Sequence, residues 1–473
     1  MKKNDTFTIT IKDMGIHGEG IGKYDGMTFF VKDAILGDRI VAAVTKLKKD
    51  YGYARLVEII EPSPYRVPAR CPKARSCGGC QLQALSYEQQ LEWKAGKVRN
   101  DLMRIGGLSE ERLRSVMSPV VGMEEPFRYR NKAQFPVGYD KEGTVVTGFY
   151  AVGSHRIIPV EDCLLEPEEN SRILSAIKRY MEEADVSAYD ETTGEGLLRH
   201  ILLRKGFSSR ELMVCLVVNG SSLPQEEHLV ELLTEIPGMT SILLNRNQKN
   251  TNRILGDELR LLWGQEYITD TIHRVQQEEN SFVQTGESVT FEISPKSFYQ
   301  VNPVQTEKLY SLALELAALQ GREIVWDLYC GIGTISLFLA QKAGWVYGVE
   351  LVPEAVEDAK KNALRNHIRN VSFYEGKAEE ILPAWVQEEN RRPDVIVMDP
   401  PRKGCDPKCL EVMMTVRPQR IVYVSCDPAT LARDVKALAE GGYALVSLHP
   451  VDQFCHSIHI ENVALLLYQG AES

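Results

Sequence analysis

Three residues near the C-terminus have the side-chain types that covalent catalysis requires: Asp399 in Asp-Pro-Pro-Arg-Lys-Gly, Cys426 in Val-Ser-Cys-Asp-Pro, and Glu461 in His-Ile-Glu-Asn. A thiol supplies a nucleophile, and carboxyl groups move protons or hold the polar edge of a substrate. Each stands where an apolar run stops: Val395-Ile396-Val397-Met398, Ile421-Val422-Tyr423-Val424, and the stretch leading to Ile460. Ligands and chemistry gather at the carboxyl ends of strands in an open α/β sheet. The three residues are therefore expected to converge there.

A second pattern lies upstream. Asp327-Leu328-Tyr329-Cys330-Gly331-Ile332-Gly333-Thr334 closes an apolar run and opens a helix. Glycines in such a turn let backbone approach a ligand at the helix start. The third glycine of a dinucleotide fingerprint is missing, because Ser336 occupies its place. Glu350 ends the next apolar run, Val346 to Val349, where a carboxylate can hold ribose hydroxyls. Together these features read as an S-adenosylmethionine site.

A methyl donor beside a nucleophilic cysteine narrows the reaction. Methylating an amine or hydroxyl needs no covalent enzyme intermediate, whereas the C5 carbon of a pyrimidine is a poor nucleophile. A thiolate adding at C6 activates C5 towards the methyl group, and a base then removes the C5 proton so that the thiol can leave. Cys426 suits the nucleophile and Glu461 the base. Asp399, ahead of two prolines that stiffen its loop, suits contact with the pyrimidine edge and the cofactor. Cys215, Cys330, Cys405, Cys409 and Cys455 read as packing thiols.

These groups need a scaffold. From about residue 291, strand and helix alternate through Ile324–Tyr329, Val346–Glu350, Val371–Tyr374, Val395–Met398 and Ile421–Val424. Ala444–Leu448 and Val463–Leu467 add a final strand pair, so 291–473 is expected to be a doubly wound, Rossmann-like sheet. Residues 1–61 read as a small OB-like β-barrel: Thr6–Ile11, Met27–Val31, Arg39–Val44 and Tyr53–Ile60 are strand-like, and Gly15–Gly22 is a glycine-spaced loop. Lys46, Lys48 and Lys49 beside Tyr51 and Tyr53 could contact phosphate and stack bases. Between these parts, 62–290 reads as a mixed α+β domain, with some of 92–124 expected to pack on the C-terminal one. It opens with a helix from Tyr87 to about Ile105. The basic and aromatic residues of Phe127–Lys132 suggest an RNA-contacting strand, and Leu198–Arg204 an amphipathic surface strand.

Charge distribution points the same way. The 473-residue chain has a net charge of −10, yet residues 1–132 carry 23 Lys and Arg against 16 Asp and Glu, leaving 32 against 49 for the rest. A basic front on an acidic body fits an RNA-facing N-terminus. No stretch approaches the roughly 18 apolar residues of a membrane span, and the N-terminus does not read as a signal peptide, so a cytoplasmic protein with no membrane partner is expected. Cys71-x5-Cys77-x2-Cys80 lies in a Pro/Gly/Arg-rich loop that offers no packing reason for three cysteines.

The whole set of motifs resembles the bacterial RNA (uracil-5-)-methyltransferases, in particular the 23S rRNA branch with an N-terminal TRAM domain. Ser-Phe-Tyr-Gln300-Val-Asn302 is similar to the family's F-x-Q-V-N segment, and D-L-Y-C-G-I-G, D-P-P-R-K-G, S-C-D-P-A-T-L-A-R-D and H-x-E match successive motifs. The resemblance implies cofactor contacts at Gln300, Tyr329, Gly331, Gly333, Glu350 and Asp399, with Cys426 as nucleophile and Glu461 as base. It also implies a [4Fe–4S] cluster on Cys71, Cys77, Cys80 and Cys163, with zinc as the alternative. The expected activity is S-adenosylmethionine-dependent formation of 5-methyluridine in 23S rRNA by a monomeric enzyme. Cys455-His456-Ser457 departs from the commoner Pro-x-Thr, and Thr334 from an asparagine found in some members. The rival readings are tRNA uracil-C5 methylation, RNA cytosine-C5 methylation, and a non-catalytic RNA-binding factor in ribosome assembly.

Overall fold

The computed structural model describes residues 1–278, 281–387 and 391–470. Two compact units emerge. One comprises Met1–Val98, Phe149–Ile158 and Phe454–His459, and the other Arg99–Gly148, Pro159–Gln453 and Ile460–Ser473.

The first unit begins with strands β1 (Thr6–Thr10), β2 (Asp13–Met14), β3 (Gly20–Tyr24), β4 (Met27–Lys32), β5 (Arg39–Leu47) and β6 (Tyr51–Glu61), in the sheet order β1-β5-β6-β4-β3-β2. Period-two alternation puts Phe7, Ile9, Phe29, Val31, Ile40, Ala42 and Leu56 in one apolar core. Register shifts at three points along the β5–β6 ladder let this sheet bend round that core. The Gly15–Gly22 stretch is not wholly loop, since Gly20 and Gly22 lie in β3. A Cβ on Gly22 would stand 2.7 Å from both Ile9 and the Thr10 carbonyl, so these glycines serve close strand packing. Helix α1 (Tyr87–Arg104) follows, and then the short α2 (Glu110–Val116).

A mixed seven-stranded sheet follows, built from β7 (Lys132–Tyr139), β8 (Val145–Tyr150), β9 (Ile157–Pro159), β10 (Leu198–Lys205), β11 (Leu212–Val218), β12 (Met239–Arg246) and β13 (Glu258–Gly264) in the order β13-β12-β11-β10-β7-β8-β9. Helices α3 (Glu169–Glu183) and α4 (Glu226–Thr234) accompany it. Two expectations fail here. Phe127–Asn131 is irregular rather than a strand, with Tyr129 and Asn131 buried. Leu198–Arg204 is a central strand buried on both faces, not a surface one. Its arginines serve the interior: Arg199 donates to the Asn247 carbonyl at 2.6 Å, and Arg204 to the carbonyls of Pro295 and Ser297. Charge at these positions satisfies buried carbonyls, a use that periodicity does not register.

A long hairpin, β14 (Ile268–Glu278) and β15 (Ser281–Ile293), leads to the doubly wound sheet. That sheet is built from α5 (Pro303–Ala317), β16 (Ile324–Leu328), α6 (Thr334–Ala340), β17 (Trp345–Glu350), α7 (Pro353–Arg365), β18 (Val371–Glu375) and α8 (Ala378–Trp385). It continues through β19 (Val395–Met398), α9 (Pro407–Val416), β20 (Arg420–Ser425), α10 (Pro428–Glu440), β21 (Tyr443–Val451) and β22 (Glu461–Tyr468). The order is β18-β17-β16-β19-β20-β22-β21, parallel from β18 to β20 and antiparallel for the last two pairings. The strand order reverses between β16 and β19, which opens a crevice at the carboxyl edge. β19 is buried along its whole length and β20 over Ile421–Ser425, which accounts for their uninterrupted apolar runs.

Candidate active site

Strand register brings the predicted residues to one edge. Leu328 pairs with Val349 on one side and Met398 on the other, so the next residues, Tyr329 and Asp399, leave the sheet side by side, level with Glu350. Ser425 pairs with Asn462 in the antiparallel β20–β22 ladder. One step further, Cys426 and Glu461 therefore face each other. Glu461 reaches the edge differently from the expectation. It does not follow a strand but begins β22, because an antiparallel strand enters from the edge its parallel neighbours leave.

Electrostatics show how close this group is. Burial above all, then the Asp399 charge, pushes Glu461 well above the usual carboxylate range, with Arg402 pulling the other way. Burial holds Asp399 up at about 7. The Cys426 thiol is pushed up to about 12, first by burial, then by Glu461 and Asp399, with Arg402 opposing. A thiolate and two carboxylates cannot all be charged together in so dry a place. The resting site therefore holds protons, and forming the thiolate is coupled to the charge on the carboxyls. Glu461 Oε2 is buried with no hydrogen-bond partner within the protein, a polar atom left unsatisfied. Arg402 is exposed and is the cation of this cluster. Its place directly after Asp399-Pro-Pro was a signal that reading for nucleophile and base alone passed over.

The loops behind these side chains are tied down by residues the motif reading left without a task. Asp434, buried in α10, accepts from Tyr423 Oη at 2.7 Å and from the Cys405 backbone at 2.9 Å, and Arg433 donates to the Lys403 and Cys405 carbonyls. The turn after Asp399 is thereby fixed to the helix that follows Cys426. Asp427 caps that helix by accepting from Ala429 and Thr430. Asn302 caps α5 through Gln305 and donates to the Gln453 carbonyl at 3.1 Å, while Gln305 donates to the Asp452 carbonyl. Asn131 donates at 2.9 Å to the backbone carbonyl of Gln300, whose side chain is buried.

The glycine turn divides its labour. Gly331 (φ +56°) has nothing within 4 Å of where a Cβ would stand, and its N–H donates to Glu350 Oε2 at 3.0 Å. A Cβ on Gly333 (φ +81°) would stand 2.9 Å from Phe373, so this glycine packs helix against sheet. Tyr329 also takes a left-handed φ of +67°, a costly backbone for a bulky residue and one that recurs at ligand sites. Helix α6 is only seven residues long, so the turn rather than a helix terminus makes this cradle. Ser336 is buried and donates its hydroxyl to Asp327, whose burial holds it up at about 7. The missing third glycine is thus a hydrogen-bond donor to a buried carboxyl. Open space beside Gly331, carboxyls at three strand ends and a strained Tyr329 together fit a nucleoside with a cationic sulfur.

The four-cysteine centre fares otherwise. Among the described residues no three His, Cys, Asp or Glu side chains are grouped as a metal ion requires. Cys71, Cys77 and Cys80 are part-buried in the first unit, in a turn organised by backbone bonds such as Cys77 N–H to the Lys73 carbonyl. Cys163 belongs to the second unit, where its carbonyl accepts from Arg128. No step proposed for this protein involves a metal or cluster at these cysteines.

Comparison with known proteins follows the same division of the chain. Residues 256–469 match the tRNA (uracil-5-)-methyltransferase family model and residues 2–57 the TRAM domain model. An uncharacterized RNA methyltransferase of Halalkalibacterium halodurans is 48% identical over 467 residues, 98% of each chain. One from Clostridium tetani is 46% identical over 471 residues, 99% of this chain and 98% of that one. Among solved structures, the Pyrococcus abyssi tRNA (uracil-54, C5)-methyltransferase in complex with S-adenosyl-L-homocysteine superposes with a TM-score of 0.75 at 27% identity, covering 98% of this chain and 100% of that one. With its strand order, its edge of converging carboxyls and thiol, and relatives matched along nearly its whole length, the chain belongs to the RNA (uracil-5-)-methyltransferase family, with an N-terminal TRAM domain.

Proposed function

We propose that this protein methylates uracil C5 in RNA through a covalent adduct between Cys426 and uracil C6. The observation that carries the reading is the strand register that brings Asp399, Cys426 and Glu461 to one sheet edge. S-adenosylmethionine, when bound, supplies an electrophilic methyl group on a cationic sulfur. Gly331, Gly333, Tyr329, Glu350, Gln300 and Asp399 are the residues we assign to hold it. Cys426 attacks C6 as the thiolate, and its proton leaves to the carboxyl cluster. C5, made electron-rich by that addition, takes up the methyl group as the methyl–sulfur bond breaks. Glu461, deprotonated, then takes the C5 proton, the C5–C6 double bond re-forms, and the S–C6 bond breaks to leave 5-methyluridine in the RNA. Arg402 favours the anionic forms that these steps require. Asp399, held near neutral pH by burial, can donate to or accept from the pyrimidine edge according to its own protonation.

The substrate we favour is 23S rRNA, modified by a soluble cytoplasmic monomer. The TRAM-domain motifs support that choice, and no helix among the described residues is long and apolar enough to cross a membrane. The reading keeps a TRAM barrel at 1–61, a central domain at 62–290 and a methyltransferase domain at 291–473. The barrel offers an RNA face: Phe30, Tyr51 and Tyr53 cluster with ring centroids 5.6–5.8 Å apart, and exposed Lys46 is paired in register with Tyr53. A second reading, tRNA as substrate, is favoured by the likeness to the archaeal enzyme. Mapping 5-methyluridine in rRNA and tRNA from a deletion strain decides between them. Loss from large-subunit rRNA alone is the expected result, loss from tRNA alone replaces the substrate, and loss from neither rejects the reading.

A further inference from the structure

Helix α1 carries a lysine in an unusual place. Lys94 is fully buried, among the largest side chains of the chain with no exposure, although an ammonium is costly to remove from water. Its Nζ donates at 3.0 Å to the carbonyl of Phe454. One turn on, Lys97 Nζ donates at 3.0 Å to the carbonyl of Ile458. Between those two anchors the same segment is gripped repeatedly. Gln90 Nε2 lies 3.2 Å from His456 Nδ1, and the Tyr87 hydroxyl 3.5 Å from the Cys455 sulfur. The backbone N–H groups of Gln81 and Leu82 both donate to the His456 carbonyl at 3.0 Å. Gly18 closes the knot: with φ +81°, a Cβ there would stand 3.1 Å from Leu82 and 3.3 Å from Ile458. Every one of these contacts lies within the first unit.

The gripped segment, Phe454–His459, is the loop that runs directly into Ile460 and Glu461. It has little regular structure to define its own path, and His456 is held at a left-handed φ of +64°. A loop without a ladder takes its shape from whatever satisfies its carbonyls. Here that is a row of groups about one helical turn apart on α1, the two nearest its C-terminal end being cationic and therefore the stronger hydrogen-bond donors. We infer that Lys94 and Lys97 are positioning residues for Glu461, acting through the Phe454–His459 loop that continues into it. This rests on Glu461 being the base. The effect of the two lysines falls on the step in which Glu461 acts and spares the attack of Cys426, which is carried by a different strand end.

The clamp therefore has a signature that a merely structural role lacks. In Lys94→Met and Lys97→Met full-length proteins, supplied with S-adenosylmethionine and total RNA from a deletion strain, kcat should fall about 100-fold, as a misplaced catalytic group does. KM for RNA should stay where it was. A denaturation-resistant protein–RNA band should accumulate, because the adduct forms but is resolved slowly. Glu461→Gln runs alongside as the reference for a trapped adduct, and Glu92→Gln, on an exposed position of the same helix, should behave as the parent. If Lys94→Met loses its cooperative thermal transition, the part-buried Lys97 carries the test alone. Wild-type kcat without a band overturns the clamp, as does a raised RNA KM at unchanged kcat, which would make these lysines RNA contacts. A band in Glu461→Gln but not in the lysine variants rejects the clamp and leaves the base assignment standing. No band in Glu461→Gln rejects the base assignment, and the clamp with it.

Discussion

The barrel and the carboxyl edge of the large sheet use polar residues in opposite ways. On the barrel, Tyr53, Lys46, Lys48 and Lys49 are exposed, and the aromatic cluster of Phe30, Tyr51 and Tyr53 lies beside them. At the sheet edge, Glu461 is buried with an unpartnered oxygen, and burial raises Asp399 and Cys426. A binding face for a polyanion needs only contact and charge, both available at the surface. A site that forms and breaks covalent bonds needs groups whose charge can change during the reaction, and burial makes that change responsive to neighbours. Loss of a residue in the first region should weaken association, whereas loss in the second should stop chemistry with association intact.

That contrast breaks most visibly at Cys426. Cys426→Ala should lower methyl transfer by at least about 10⁴-fold, the scale seen when a nucleophile is deleted, with RNA affinity unchanged in a filter-binding titration. A variant that still turned over would remove covalent catalysis altogether. Glu461→Gln should cost about 10²–10⁴-fold in turnover and leave a denaturation-resistant protein–RNA species on a gel. On the barrel, Tyr53→Ala should weaken RNA binding by about 1–3 kcal/mol if a base stacks there, with kcat at saturating RNA unaltered. Replacing Lys48 and Lys49 by glutamine should flatten the salt dependence of binding by about one to two counterions. An effect on kcat instead would blur the division between the two regions.

The smallest effects separate residues within the sheet edge. Gly333→Ala should destabilise by about 1–3 kcal/mol, since a methyl group would press on Phe373. Gly331→Ala meets open space but at a left-handed φ of +56°. It should therefore cost about 1–2 kcal/mol in stability through backbone strain alone and also raise the KM for S-adenosylmethionine. The buried carboxyls give a pH test. Asp399 and Asp327 have folded values of about 7, raised from 3.8. Their contribution to stability is full below about pH 4 and is lost as pH rises through about 7. Asp399→Asn should therefore gain at least about 1 kcal/mol over the parent at pH 8 and little at pH 4, readable as a pH-dependent difference in melting temperature. A difference that grows towards low pH would mean that this carboxylate is paired rather than merely buried.

Much of the sheet was legible because its signal is local. Runs such as Val395–Met398 and Ile421–Val424 are short, β-branched and bounded by turn residues, and they became β19 and β20 with nearly the same limits. The glycine turn, its partner Glu350 and the motifs around Asp399 and Cys426 were equally plain. The arginines of β10 were misread because their partners, the carbonyls of Asn247, Pro295 and Ser297, lie 48 to 93 residues away. The cysteines suggested a metal centre, and among the described residues no group of three potential ligands stands together. Arg402 was in view and unassigned. Its relevance depends on which charges surround it.

From the sequence alone came the proposed reacting groups, their order along the chain and the class of sheet that presents them, because side-chain chemistry and strand periodicity are properties of short segments. Tertiary structure decided the rest: that Glu461 enters from an antiparallel strand to face Cys426, that Gly331 borders open space while Gly333 packs, and that Lys94 of α1 holds the loop before Glu461. Those are facts of register and burial. They depend on which residues meet across hundreds of positions, and the energies that fix them exist only once water has been excluded between the partners.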